Sequence, residues 1–224
     1  MGDLPLGEHA YRTLRELIVS LRLPPGTSVS EQGLTAAYGL SRAPVRAALA
    51  RLRTEGLVSS VPRRGHVVSV ITLRDVDEVF RMRLLLEPEA AALAAGNVDA
   101  VELAALERVC AQRYVPSSAE SVVDFVAANR RLHVRVAEAS GNTRLARTIT
   151  GLLDEAERAI HLALAAGAGE HGLRIHHEHG ELLDALTTPD PDAARRHMTD
   201  ALSRFHHELV TVLQTTPAVL DTAL

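Results

Sequence analysis

Histidine and arginine carry most of the chemistry open to this 224-residue chain. Eleven histidines are present, eight of them at or beyond His161, and Cys110 is the only cysteine. Clustered imidazoles can ligate a divalent metal or move protons near neutral pH, so one reading of the C-terminal part is a metal-dependent hydrolase. Motif spacing opposes that reading. His177-Glu178-His179 is too short for H-E-x-x-H, which needs two histidines four apart on one helical face, and His207-Glu208 has Thr211 where the second histidine belongs. Gly167-Ala168-Gly169-Glu170-His171-Gly172 matches G-x-G-x-x-G literally, but it follows a helical run and no strand, which makes it a helix-to-helix loop. No G-x-S-x-G nucleophile motif occurs, and no enzyme is expected.

The basic residues point elsewhere. All 24 are arginines, and the absence of lysine removes P-loop phosphate binding and Schiff-base catalysis. Six aromatics and no tryptophan are too few for the stacking platforms of single-stranded nucleic acid binders, which leaves duplex DNA open. The charge is two-sided: residues 1–70 hold nine arginines against five acids, whereas residues 71–224 hold 15 against 23. Such asymmetry suggests a basic module for a polyanion joined to a larger acidic module with another task. One cysteine excludes an intrachain disulfide. No apolar run approaches the roughly 18 residues that span a bilayer, and Met1 to Pro5 do not open a secretory leader, so a cytoplasmic protein without a membrane partner is expected.

The elements that must position these residues can be read from periodicity and punctuation. Leu14, Leu17, Ile18 and Leu21 predict a first helix over His9 to Leu23, stopped by Pro24, Pro25 and Gly26. A second runs from about Ser30 to Tyr38 with Leu34 and Ala37 inward, and Gly39 turns the chain into a third that Ser41 can cap through its hydroxyl, with Pro44 in its first turn. After Gly56, two valine-rich segments flank Pro62, Arg63, Arg64 and Gly65 as a β-hairpin would. This order is that of a winged helix-turn-helix. Thr72 and Asp75 then form a capping box, and everything beyond reads helical, with breaks at Gly96-Asn97 and Gly141-Asn142. Pro116 and Ser117 with Glu120 open one helix, another runs from about His171 to Leu186, and Asp190-Pro191 opens the last, to about Leu213. The predicted fold is mostly α: an N-terminal winged helix-turn-helix (1–70), a short linker (71–74), an all-helical bundle of six or seven helices (75–215) and a tail (216–224).

On the third helix Val45, Ala48, Leu49 and Leu52 make a core stripe, and Arg42, Arg46 and Arg53 share one edge beside it. Ala43, Ala47 and Ala50 lie beside them, short enough to let the backbone approach a surface. Arginine donates two parallel hydrogen bonds to guanine or phosphate, and a major groove about 12 Å wide admits one helix. Arg63 and Arg64 at the hairpin tip, with Gly65 permitting close approach, would reach flanking phosphates or the minor groove. Arg51, on the far side, is read as a solubilising residue.

The stretch Pro25-Gly26-Thr27, Glu31, Leu40-Ser41-Arg42-Ala43-Pro44-Val45-Arg46 through Leu52, Glu55-Gly56-Leu57-Val58 and Arg64-Gly65 resembles the DNA-binding domain of the GntR family of bacterial transcriptional regulators. Arg83-Leu84-Leu85-Leu86-Glu87-Pro88, Leu132-His133 with Ser140-Gly141-Asn142, and Glu178-His179 resemble the FCD domain of its FadR subfamily. The resemblance implies a homodimeric regulator, a repressor on this reading, that binds palindromic double-stranded DNA and responds to a small-molecule effector. It places DNA contacts at Gln32, Ser41, Arg42, Ala43, Arg46, Arg64 and Gly65, with Ala43 standing where a threonine is common.

For the acidic module, Asn129 and His133 stand four apart on one helix and can converge on a ligand, with His179 on another helix. The resemblance implies that equivalents of these three, usually with aspartate first, join a third histidine around a divalent metal. Here that position is Ala201, so the set of His133 and His179 is incomplete, with His197 or His176 as substitutes. No cofactor is required by this reading. Arg83 is the remaining candidate: directed into the cavity, its guanidinium favours a carboxylate such as an organic acid, and paired with Glu87 one turn on it does not.

Overall fold

The computed structural model describes residues 5–62, 65–111, 118–166 and 179–215. The chain divides into two units, Met1–Ile71 and Thr72–Leu224.

In the first unit Tyr11, Leu14, Leu17 and Ile18 make the buried face of α1 (Leu6–Val19), which packs on α3 (Arg42–Thr54). The helix ends four residues before the predicted Leu23. Leu21 takes a left-handed φ of 60°, and the Leu23 N–H reaches back to the Leu17 carbonyl at 2.8 Å, closing the end before the prolines act. Between them lies α2 (Glu31–Tyr38), capped by the Ser30 hydroxyl, which accepts from the Gly33 N–H. Leu34 is its buried residue; Ala37, expected inward, is exposed, because a short helix against one neighbour buries only a narrow stripe. Gly39, at φ 65°, turns the chain into α3.

The wing is a three-stranded antiparallel sheet where sequence reading expects two strands. β1 (Ser28–Val29), β2 (Val58–Val61) and β3 (Gly65–Val68) stand in the order β1-β3-β2, with Val29 opposite His66 and Val61 opposite Gly65. Two residues are too few to show alternation, which is why β1 escapes a pattern search. Arg63 and Arg64 lie outside the described residues.

The described part of the second unit is helical. Thr72 and Asp75 complete the expected capping box at the head of α4 (Leu73–Ala94). α5 (Ala100–Ala111), α6 (Ala119–Ala139), α7 (Thr143–Ala166), α8 (Gly180–Thr187) and α9 (Pro191–Leu213) follow. α4 packs along α9 and against α6 and α7, and α5 lies on α6 and α8, so the faces of α4, α5, α6 and α8 enclose a shared interior. α6 opens on Ser118, whose hydroxyl accepts from the Ser121 N–H; the expected opening residues Pro116 and Ser117 lie outside the described residues. Residues 171–178, expected to begin the next helix, are also outside, and His179 is the residue before α8 and not within a helix. The Asp190 carboxylate accepts from the Ala193 N–H and Pro191 takes the first helical position of α9, as its missing donor allows.

Candidate functional site

Burial of Val45, Ala48, Leu49 and Leu52 fixes the rotation of α3, and its other face follows. Arg42, Arg46 and Arg53 are exposed together, as are Ala43, Ala47 and Ala50, with Gln32 of α2 and Ser41. Ser41 occupies the N-cap position, but its hydroxyl makes no capping bond. The reason is local: the third helical residue, whose N–H a capping serine commonly serves, is Pro44, which has none. Ser41 is exposed beside Arg42. Arg46 is held by Glu31 of α2 through two bonds, Nε to Oε1 at 2.8 Å and Nη2 to Oε2 at 2.9 Å, and the same bonds hold the Glu31 carboxyl below its ordinary range.

Two residues have internal duties that sequence reading does not assign. Arg51 lies over the Tyr11 ring, 3.4 Å from its centroid, and donates to Glu55 and Glu8, while the Tyr11 hydroxyl donates to Glu55 at 3.0 Å. It therefore clamps α1 to α3 in addition to wetting the surface. Gly65 has φ +82°, and a Cβ there would stand 3.0 Å from the Val29 carbonyl oxygen. Close approach at Gly65 is thus required by strand pairing inside the unit.

Inside the second unit five polar residues are buried among α4, α6 and α8: Arg83, Glu87, Asn129, His133 and His179, none more than 3% exposed. Glu87 joins three of them. Its Oε1 accepts from Arg83 Nε at 2.5 Å and its Oε2 from His133 Nδ1 at 2.5 Å. Burial pushes the Glu87 carboxyl up, but Arg83 and then His133 outweigh it and hold the group at about 2. An ionised carboxylate only accepts, so His133 donates from Nδ1; burial, against the pull of Glu87, lowers the imidazole pKa. Arg83 thus pairs with Glu87, and its charge is already balanced. Two atoms find no hydrogen-bond partner among the described residues: Arg83 Nη1, a donor, and Asn129 Oδ1, an acceptor.

Comparison with known proteins places both modules. Residues 6–68 match the model for bacterial regulatory proteins of the gntR family, and residues 78–204 match the FCD domain. This chain belongs to the GntR family of transcriptional regulators with a C-terminal FCD domain. YdhC, an HTH-type transcriptional regulator of Bacillus subtilis, is 27% identical over 88% of this chain and 87% of its own length. RspR, an HTH-type transcriptional repressor of Escherichia coli, is 26% identical over 94% and 91%. The solved structure of E. coli McbR/YncC superimposes with a TM-score of 0.73 at 25% identity, covering 93% of this chain and 99% of that one. The α3 face therefore lies in a DNA-binding domain of the gntR family, and the buried cluster lies in the FCD domain. Nothing in the relatives favours the hydrolase reading.

A metal held by His133, His179 and residue 201 does not fit this GntR-family chain. Ala201 is buried and offers a methyl group, and Asn129 offers only a neutral amide, so two of the four ligand positions lack an anionic or imidazole donor. His197 faces Glu181 at 3.3 Å, and His176 lies outside the described residues. Sequence reading missed Glu107 as the partner of His179 and Cys110 as a neighbour of both. The His179 Nδ1 meets Glu107 Oε2 at 2.6 Å across 72 residues, a separation that no local pattern reveals.

Proposed function

We propose that this regulator binds a short palindromic operator as a homodimer, laying α3 of each protomer in a major groove, and represses until a small organic acid enters the FCD interior. The observation that carries the DNA reading is the exposed edge of Arg42, Arg46 and Arg53 beside three alanines on a helix whose rotation the core fixes. One winged helix makes few base contacts, and two-fold symmetry doubles them on a palindrome. Arg63, Arg64 and Gly65 of the wing are assigned to flanking phosphates or the minor groove.

Arg83 Nη1 and Asn129 Oδ1 support the effector reading, because a buried donor and acceptor with no partner among the described residues cost free energy that a ligand can recover. The pairing with Glu87 changes what that ligand must be. The charge of Arg83 no longer selects an anion, so the acid rests on hydrogen bonding alone: its carboxylate would accept from Arg83 Nη1 while a hydroxyl or amine donates to Asn129 Oδ1. The ligand controls DNA only by binding the two dimer arrangements with different affinity.

The test is a mobility-shift assay on DNA upstream of the chain's own and neighbouring genes, repeated with candidate acids. Arg46→Ala should weaken the shift about tenfold or more, and His133→Ala should spare the shift while blunting the response to acid. An Arg46→Ala protein that binds like the wild type would remove the groove helix from the scheme.

A further inference from the structure

Glu107 and Cys110 stand three residues apart on α5, so their side chains share one helical face, and that face meets His179 at the entrance to α8. One carboxylate oxygen, the thiol sulfur and one imidazole nitrogen all lie within 4.8 Å of one another. His179 is fully buried, Cys110 is 4% exposed, and the Glu107 side chain reaches solvent at 17%. Among the described residues no other histidine, cysteine and carboxylate side chains converge three together in this way. We propose that Glu107, Cys110 and His179 form a binding site for a thiophilic divalent cation of the zinc class.

Donor chemistry selects the cation. Sulfur, nitrogen and one carboxylate oxygen suit Zn²⁺ or Co²⁺, whereas Mg²⁺ and Ca²⁺ take oxygen ligands. Ligands about 2.0–2.3 Å from zinc stand about 3–4 Å apart in a tetrahedron, so side-chain shifts of about 1 Å complete the site. The Glu107–His179 hydrogen bond opens to admit the ion. The Cys110 thiol gives its proton to solvent as the sulfur–metal bond forms; until then burial, with the Glu107 charge behind it, pushes that thiol up to about 12 and keeps it protonated. Water, entering beside Glu107, takes the fourth position. The His179 ring stands edge-on to His133, with centroids 5.6 Å apart, so the bound ion also fixes one wall of the effector cluster and ties α5 to α8.

The experiment titrates Co²⁺ into the full-length chain, purified without a histidine tag and stripped with a chelator. One equivalent should bind with a near-ultraviolet thiolate-to-cobalt charge-transfer band, and zinc should abolish the band by displacement. Cys110 is the only cysteine, so the band has a single possible source. Cys110→Ala should keep the helical circular dichroism and lose the band, and Glu107→Gln should keep the band with affinity about tenfold weaker. Cobalt bound without the band, or not bound at all, overturns the site. If Cys110→Ala does not fold, the wild-type spectrum decides alone in the same two directions. No readout involves DNA, so failure here leaves the regulator reading standing.

Discussion

At the scale of single residues, the buried trio of Arg83, Glu87 and His133 has the largest consequences. An ion pair this deep contributes little net stability when intact, but removing one partner strands a charge. Glu87→Ala should therefore cost about 3–5 kcal/mol in urea unfolding, while Arg83→Met with Glu87→Leu together should recover most of that loss. Equal losses from the single and double variants would show that shape, not charge, holds the region. The trio also sets a pH window. With its folded pKa depressed to about 2, Glu87 contributes stability that is complete above the ordinary carboxylate range and lost as pH falls through that range toward 2. His161 acts at higher pH. Burial lowers it to about 4, so the folded state excludes a proton that the unfolded chain binds below about 6.5, and stability falls between those values. His161→Leu should flatten the part of the urea midpoint's decline between pH 6.5 and 4 that this histidine causes; an unchanged slope would assign the decline to His133 and His206, which burial also lowers.

At the scale of elements, the wing separates structural from DNA-contact duties. Gly65→Ala must place a Cβ 3.0 Å from the Val29 oxygen at a φ of +82°, which should cost about 1–2 kcal/mol and loosen β1 from β3. A thermal-unfolding drop accompanied by weaker DNA binding would fit this account, and unchanged stability would return Gly65 to a purely DNA-facing role. Helices were largely legible in the sequence because their signals are local. The Thr72-Asp75 box, Gly39, the Asp190-Pro191 start and the α3 stripe each lie within a turn or two of what they control. The misses share a cause. Ser41 is denied its cap by Pro44, Leu21 ends α1 through its own backbone conformation, and β1 exists only because β3 lies beside it.

At the scale of the whole molecule, each unit has a core made from its own residues, with Leu14, Ile18, Leu49 and Leu52 at the centre of the first. A chain ending at Ile71 should fold alone, sediment as a monomer and bind operator DNA at least tenfold more weakly than the full chain, since it forgoes the second half-site. Equal affinity would count against the dimer. The division into a basic reading head and an acidic helical receiver was determined by sequence alone, because composition, periodicity and caps act within short windows. Tertiary structure alone decided that Arg83 is neutralised by Glu87, that Glu87 reaches His133, and that Glu107 and Cys110 meet His179. Two of those three meetings join separate elements, and which faces meet depends on how the entire core packs, a property no stretch of residues carries by itself.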